Sequence, residues 1–443
     1  MAKMPAGAGG SGLLTEAGVD LEANARELAA LPPKPQRDPE QQRAAEALLA
    51  EGRAARESFT ARHAAEIYER LTAGYTRFLR VRELVYAAAV EWPGLVPTEA
   101  EVGAERERPQ KDKDGVEIDQ GIFLAHVLAQ PLAGRHLMWS MQRPRADSVA
   151  LLDDFQRTGA ADLGTARVDR QGNVGHVTLQ NHAYLNAEDD DSNAAVERAV
   201  DLVLLDPQIQ VGVLRGGPAT HPKYEGRRIF GSGINLTKLY LGQIGFVEFL
   251  IERELGLNNK MYRGLTGDEF RMSDFEDTLE KPFLAAVESF AIGGACQWLL
   301  IMDRVIAELG SYFNLPARKE GIIPGSANLR LPRLVGDRMA RQGLFFNRQF
   351  HADSSEGRLI ADEVVPASGI EAAIERSASE ITSAGLTSLV ANRRLLRLGQ
   401  EPLDTHRMYM AWYAREQAYC HFSEALISNL ERNWDARSRR LHD

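Results

Sequence analysis

The sequence predicts an α/β protein whose central segment is flanked by helical regions. Three segments in order carry this prediction: residues 175–181 alternate like a strand, residues 193–205 repeat apolar positions with the period of a helix, and residues 209–214 are again strand-like. A strand, a helix and a strand in that order begin a βαβ core. Before about residue 160 and past residue 368, the apolar spacing is helical only.

These changes in pattern divide the chain into three predicted parts. Residues 1–160 form an N-terminal helical extension, residues 161–368 the α/β core, and residues 369–443 a C-terminal helical region. Residues 1–12 are rich in Gly and Ala and are expected to be disordered.

Within these parts, individual elements follow from apolar spacing. We predict one continuous helix whose stripe runs over 67–92, a charged loop over 99–115, and core helices over 239–256, 281–290 and 294–308.

Composition limits the classes of function. The 443-residue chain has a net charge of −10 and an acidic pI of about 5.6, which argues against nucleic acid or an anionic membrane as the main partner. No signal-peptide-like apolar core begins the sequence and no eighteen apolar residues run together. With only two cysteines, Cys296 and Cys420, a disulfide framework is not expected. We therefore expect a cytoplasmic protein.

The stretch 227–244 contains a turn of small residues between a strand-like run and a helix start near Leu236. Phe230-Gly231-Ser232-Gly233-Ile234 leaves backbone N–H groups that can point at developing negative charge. Taken alone, the same residues also suit a tight turn with no chemical role.

A second glycine pair offers a comparable donor. Gly293-Gly294 opens an apolar helix that runs through Met302. Two N–H donors that converge on one oxygen form an oxyanion hole, and the two stretches together supply the two donors that such a site needs.

On these and three further segments the chain resembles the crotonase (enoyl-CoA hydratase/isomerase) superfamily. The segments are NHAYLNA at 181–187, FGSGINL at 230–236, IGGAC at 292–296, GIIPG at 321–325 and ADEVV at 361–365. The resemblance implies a spiral of ββα units that binds an acyl-CoA, with the amides of Ile234 and Gly294 on the thioester oxygen. By the same resemblance these amides would stabilise an enolate. The resemblance also implies a homotrimer or a dimer of trimers, in which the terminal helices pack across subunits.

The sequence departs from the hydratases at the two catalytic glutamates. Gln297 and Ala317 occupy those positions, and neither an amide nor a methyl group can exchange the proton that hydration requires. Glu320 lies one turn beyond the second position and keeps an isomerase or a thioesterase open as an alternative. A non-catalytic acyl-CoA-binding scaffold is a further alternative.

The long N-terminal extension, together with residues 186–191, 220–228 and 264–268, resembles a branch of the superfamily that uses O₂. This resemblance implies a dioxygenase of antibiotic biosynthesis that needs neither a metal nor an organic cofactor. Its substrates would be an arylacetyl-CoA thioester with two ring hydroxyls and molecular oxygen, and its products an arylglyoxylate and CoA.

The remaining candidate residues would hold the substrate. Glu188, His221 and Arg253 are candidates for the ring hydroxyls, and Gln297 for a hydrogen bond near the thioester. The alternative for Glu188 and Arg253 is a solvated charge, and for His221 a turn residue before Pro222. Three basic residues are candidates for the CoA phosphates or, alternatively, solvated surface: Lys223, Arg227 and Arg228.

An iron site is the competing hypothesis. His351-Ala352-Asp353 has the spacing of a two-His-one-carboxylate site, with His406 or His421 as the third ligand. Such triplets are common, and we predict no metal.

Overall fold

The structure is a computed structural model that describes residues 15–16, 19–272 and 277–441; the prediction for residues 1–12 lies outside them. Its helices are α1 (Leu21–Ala30), α2 (Pro39–Leu71), α3 (Val81–Glu91), α4 (Glu99–Arg106), α5 (Glu117–Ala129), α6 (Pro131–Gln142), α7 (Ala146–Thr158), α8 (Asp190–Leu205), α9 (Leu236–Tyr240), α10 (Asn259–Arg263), α11 (Gly294–Leu299), α12 (Ala317–Glu320), α13 (Ala327–Val335), α14 (Asp337–Phe346), α15 (Ile370–Thr382), α16 (Leu386–Gln400), α17 (Leu403–His421) and α18 (Glu424–Trp434).

The strands are shorter. They are β1 (Thr15–Glu16), β2 (Val19–Asp20), β3 (Ala160–Asp162), β4 (Ala166–Gln171), β5 (Val174–Leu179), β6 (Val211–Gly216), β7 (Phe283–Val287), β8 (Phe290–Ile292), β9 (Arg304–Glu308), β10 (Tyr312–Asn314), β11 (Phe350–His351) and β12 (Glu363–Val365). None of the helices within the described ranges combines the length and the apolar character needed to cross a bilayer.

The chain folds into two compact units that are each discontinuous in sequence. The first comprises the residues up to 141 with 240–251 and 404–427, and the second comprises 142–239, 252–403 and the residues from 428. The three contiguous parts predicted above follow chain order alone, whereas these units include segments that return from far along the chain.

Among the residues that the structure describes, the regular elements of the first unit are helices, apart from the β1–β2 pair. The predicted helix over 67–92 is wrong as one element, because α2 ends at Leu71 and α3 begins at Val81. Between them Ala73, Gly74 and Tyr75 adopt positive φ angles of 49°, 68° and 64°, which no α-helix accommodates.

The predicted loop over 99–115 is also wrong, since it contains α4. The Thr98 side chain accepts from the N–H of Glu101, and the Glu101 side chain in turn accepts from the N–H of Thr98. This reciprocal pair starts a helix in spite of the charged composition that follows.

The second unit holds a seven-stranded sheet in the order β12-β9-β7-β6-β5-β4-β3 and a three-stranded sheet in the order β11-β10-β8. From β5 to β12 the neighbours of the large sheet are parallel, and β3, β4 and β5 are antiparallel. Successive strands alternate between the sheets: β7 lies in the large sheet and β8 in the small one, followed by α11, and β9 and β10 repeat the step before α12. This spiral confirms the predicted fold class.

Two segments of this unit that were predicted as helices contain strands, although the second begins with a helix as predicted. The segment 281–290 forms β7 and β8, and 294–308 forms α11 followed by β9. The five residues of β7 are all buried, because helices cover parallel sheets on both faces. A strand buried on both faces has no alternation to distinguish it from a buried helix. The predicted helix 239–256 is irregular, since α9 is followed by two π-helical segments, Phe246–Ile251 and Arg253–Asn258, before α10.

Candidate active site

The turn at Gly231–Ile234 extends the small sheet by a few hydrogen bonds. The N–H of Gly231 donates to the Phe290 carbonyl (3.3 Å), and the N–H of Ile292 donates to the Gly231 carbonyl (3.0 Å). Gly233 has a φ of +81°, and a Cβ there would lie 2.9 Å from the Ile292 carbonyl oxygen. Only glycine therefore fits this crossing.

Glu188 lies alongside Ile234 through its backbone. The N–H of Glu188 donates to the Gly233 carbonyl (2.7 Å), and the N–H of Asn235 donates to the Glu188 carbonyl (2.7 Å). In this parallel bridge the groups of Ile234 itself are not used. Across the described part of the chain, the N–H of Ile234 has no acceptor.

The second glycine pair meets the first. Gly293 has a φ of +56° and donates its N–H to the Asn314 carbonyl (2.8 Å). A Cβ on Gly293 would lie 3.2 Å from the Gly233 Cα and 4.0 Å from the Ile234 nitrogen. Gly294 then opens α11, and its N–H also lacks an acceptor among the described residues. Two unused backbone donors, on Ile234 and Gly294, thus belong to chain segments in direct contact.

A buried arginine network lies behind these donors. Arg253 donates from Nε to Glu188 Oε2 (2.6 Å), from Nη1 to Gln297 Oε1 (2.9 Å) and from Nη2 to the Gly294 carbonyl (2.7 Å). Nη1 also donates to Glu254 Oε1 (2.9 Å). The structure therefore brings together five sequence-predicted residues, namely Glu188, Ile234, Arg253, Gly294 and Gln297.

Glu188 is a buried carboxylate with one oxygen available. It is 2% exposed, and its Oε1 has no hydrogen-bond partner among the described residues. Burial raises the pKa of Glu188, and the neighbouring Arg253 guanidinium opposes that rise. A Cβ on Gly294 would lie 2.1 Å from Oε1, so this oxygen sits directly against the Gly294 backbone.

The hypothesis that Glu188 and Arg253 are solvated charges is wrong, because both are buried. Glu254 is buried as well and was missed. Its carboxylate also accepts from Asn258 Nδ2 (2.8 Å) and from Ser326 Oγ (2.8 Å). Arg253 and Glu254 are two charged residues in a row and do not fit an apolar spacing. From sequence alone they therefore look like the exposed face of a helix.

The other predicted substrate-binding residues lie on a separate loop. His221 is half-buried, and its Nδ1 accepts from the Lys223 N–H (3.2 Å). Lys223 and Arg227 are exposed, and Arg228 donates from Nη1 to the Gly216 carbonyl (3.1 Å). The hydrogen bonds described for His221 and Arg228 thus stay within this loop or reach Gly216 at the end of β6.

Two further side chains near the site are buried and titratable. Glu320 ends α12, and burial together with the Glu188 charge raises its pKa to about 8. Cys296, in α11, is fully buried, and burial raises the pKa of its thiol to about 12.

His351 of the alternative iron triplet lies on β11 and is exposed. Across the ranges that the structure describes, no three His, Cys, Asp or Glu residues form a group that could hold a metal ion.

Comparison with known proteins agrees with this fold. The family model "Enoyl-CoA hydratase/isomerase" matches residues 169–406. A solved enoyl-CoA hydratase from Mycobacterium avium subsp. paratuberculosis K-10 superposes with a TM-score of 0.50 at 18% identity, over 61% of this chain and 98% of that one. The chain belongs to the enoyl-CoA hydratase/isomerase family, as its resemblance to the crotonase superfamily predicts.

Two relatives in sequence differ in how much of this chain they match. The (3,5-dihydroxyphenyl)acetyl-CoA 1,2-dioxygenase of Amycolatopsis orientalis is 49% identical over 391 residues, which is 88% of this chain and 89% of the relative. The short-chain-enoyl-CoA hydratase of Clostridium acetobutylicum is 26% identical over 55% of this chain and 85% of its own length. The similarity to the dioxygenase extends well beyond the family segment.

Proposed function

We propose that this protein is a (3,5-dihydroxyphenyl)acetyl-CoA 1,2-dioxygenase, which converts that thioester and O₂ into (3,5-dihydroxyphenyl)glyoxylate and CoA. The observation that carries the proposal is the pair of unused N–H donors on Ile234 and Gly294, in a chain 49% identical to such an enzyme over most of its length. Because Gln297 and Ala317 stand where hydration needs two carboxylates, a hydratase is not favoured.

The two amides would act on the thioester oxygen. The carbon between an aryl ring and a thioester has C–H bonds that are acidified from both sides. Loss of one of these protons places negative charge on the thioester oxygen. Each well-placed donor to such an oxyanion stabilises the transition state by roughly 3–4 kcal/mol. The resulting enolate is the electron-rich species on which O₂ can act.

Oxygen insertion then needs no further reactant. The enolate passes electrons to O₂ and a peroxide forms at Cα. The terminal oxygen of the peroxide attacks the thioester carbonyl, and CoA leaves as its thiolate. The O–O bond then breaks as the remaining Cα–H bond releases its proton and its electrons form the C=O bond of the ketone. The ketone and the carboxylate of the product each receive one atom of O₂. We propose on this basis that the reaction uses neither a metal nor an organic cofactor.

The buried network would orient the aryl ring. Glu188 Oε1 is an unsatisfied acceptor for a phenolic O–H, while Arg253 and Gln297 fix the position of that carboxylate and of the Gly294 peptide. His221 is proposed as a further polar contact. The exposed Lys223 and Arg227, with Arg228, are proposed to hold CoA phosphates.

The assembly and location are part of the proposal. We propose a trimer or a dimer of trimers in the cytoplasm, with residues 369–443 as the oligomerisation region. Light scattering coupled to size-exclusion chromatography measures the mass directly, and a monomer would contradict the proposed assembly.

Turnover with ¹⁸O₂ tests the reaction. The enzyme is mixed anaerobically with (3,5-dihydroxyphenyl)acetyl-CoA and then exposed to ¹⁸O₂, and the product is analysed by mass spectrometry. One label is expected in the carboxylate, which exchanges with water far more slowly than the ketone. Absence of label from the glyoxylate would refute the dioxygenase.

Further measurements distinguish the alternative functions. Turnover under strict anoxia would indicate an isomerase or thioesterase that uses Glu320, and failure to bind any acyl-CoA would indicate a scaffold. Activity that is lost on exhaustive chelation and restored by iron would overturn the cofactor-free reaction.

A further inference from the structure

Glu320 is a buried carboxylate that the fold leaves unpaired. It is the last residue of the four-residue helix α12, and it is 8% exposed. Among the described residues its carboxylate has neither a hydrogen bond nor an ion pair. Burying an ionisable group without a partner is unfavourable, and groups of this kind are concentrated at functional sites.

The sheet topology places α12 beside the oxyanion site. Strand β10 runs parallel to β8, with Asn314 opposite Ile292, and the Gly293 N–H donates to the Asn314 carbonyl. The segments that leave the two strands therefore start side by side. One of them opens α11 with Gly294, and the other opens α12, which ends at Glu320.

The side chain of Glu320 lies close enough to that of Glu188 for their charges to interact. The negative charge of Glu188 acts on Glu320, so the two carboxyl groups are within electrostatic range inside the protein. Glu188 lies against Gly294, because a Cβ added at Gly294 would be 2.1 Å from the Oε1 of Glu188. Glu320 thus lies on the segment that starts beside Gly294, and within electrostatic range of the carboxylate that touches Gly294.

Arg253 gives the two carboxylates different properties. It forms an ion pair with Glu188 at 2.6 Å, whereas Glu320 has no such counter-ion in the described structure. The paired carboxylate is suited to accept a hydrogen bond. The unpaired one, in its ionised form, is a stronger base than an ordinary carboxylate. Two carboxyl groups whose environments separate their proton affinities are a recurring arrangement for acid and base roles.

We propose that Glu320 is the catalytic base that removes the α-proton of the arylacetyl thioester. The α C–H bond breaks, the proton passes to a Glu320 carboxylate oxygen, and the bonding electrons move through the new C=C bond onto the thioester oxygen held by Ile234 and Gly294. The proton later returns to the departing CoA thiolate. This inference rests on the proposed function, because it supplies the enolate on which O₂ acts.

Exchange of the α-protons without oxygen tests this role. The wild-type enzyme is incubated anaerobically in D₂O with (3,5-dihydroxyphenyl)acetyl-CoA, and deuterium in the recovered thioester is measured by mass spectrometry. Glu320→Gln is expected to lower both this exchange and aerobic turnover by about 10²–10⁴-fold, the usual contribution of a general base. Glu320→Asp is expected to restore part of both rates.

The matched control is Lys319→Gln, which changes an exposed residue of the same helix and is expected to leave both rates unchanged. Binding of a thioether analogue of the substrate and the thermal unfolding midpoint check that Glu320→Gln still folds and binds. A folded Glu320→Gln protein that exchanges at the wild-type rate would overturn the assignment.

The exchange and labelling experiments distinguish this inference from the proposed function. If wild type incorporates ¹⁸O but exchange is insensitive to Glu320→Gln, the base is wrong and the dioxygenase stands. If exchange depends on Glu320 but no ¹⁸O enters the product, the base stands and the dioxygenase is wrong.

Discussion

Replacing Gly294 by alanine perturbs the oxyanion site with a single added carbon. That Cβ would lie 2.1 Å from Glu188 Oε1 and 2.7 Å from both Cδ and Oε2, whereas ordinary contacts begin at about 3.4 Å. The carboxylate or the start of α11 must therefore move by about 1 Å. Glu188 cannot swing outward, because it is 2% exposed and Arg253 holds its Oε2 at 2.6 Å.

Either movement misaligns the Gly294 N–H with the thioester oxygen. Loss of one such donor corresponds to roughly 3–4 kcal/mol, so we expect Gly294→Ala to lower kcat by about 10²–10³-fold. The KM for the thioester should change little, because the donor acts mainly on the charge that develops in the transition state.

Oxygen consumption at saturating thioester measures this effect. Gly103→Ala is the matched control, because a Cβ at Gly103 in α4 meets nothing within 4 Å. A folded Gly294→Ala protein that keeps kcat within about threefold of wild type would refute the oxyanion role of Gly294, since threefold corresponds to well under 1 kcal/mol.

Three other predictions concern separate parts of the molecule. Ile234→Pro removes the other donor and should abolish oxygen consumption, whereas Ile234→Val keeps the N–H and should stay active; equal activities would contradict the backbone role. Burial raises the pKa of Glu117 to about 7 from its usual 4.5. Ionising Glu117 should therefore lower the free energy of unfolding by roughly 3 kcal/mol. This loss of stability should be absent below about pH 4.5 and complete above pH 7. Glu117→Gln should therefore raise the unfolding midpoint in urea relative to wild type at pH 8 but not near pH 4.5, and a pH-independent difference would contradict this. Glu401 accepts from Arg263, Arg330 and Arg333 while fully buried, so Glu401→Gln should destabilise the protein by about 3–5 kcal/mol, and an unchanged urea midpoint would count against that ion cluster.

Local patterns allowed much of the α/β core to be predicted. Strand β5 alternates and α8 repeats with helical period, so both were recognisable from spacing. Strand β7 is apolar at every position because it is buried on both faces, and the same run suits a buried helix. The break after α2 depends on positive φ angles at Ala73 and Tyr75. Alanine and tyrosine rarely adopt such angles, so their presence in the sequence does not predict the break.

The site was predictable where glycine geometry determines it and less so where charges are buried. The turn at Gly233 and the pair at Gly293-Gly294 are visible because few other residues fit those conformations. Glu254 forms hydrogen bonds to Asn258 and Ser326, partners 4 and 72 residues away. Its burial follows from the tertiary fold, which a charge in a row of charges does not reveal.

The fully buried thiol of Cys296 affects how long such an enzyme can work. The proposed reaction forms a peroxide close to Gly294, two residues from this sulfur. Cysteine is oxidised chiefly as its thiolate, and with a pKa of about 12 only about one thiol in 10⁵ is ionised at pH 7. Burial therefore limits oxidation of the Cys296 thiol by the peroxide that the enzyme itself would form. Sustained turnover in air should consequently not require a reductant to protect this thiol.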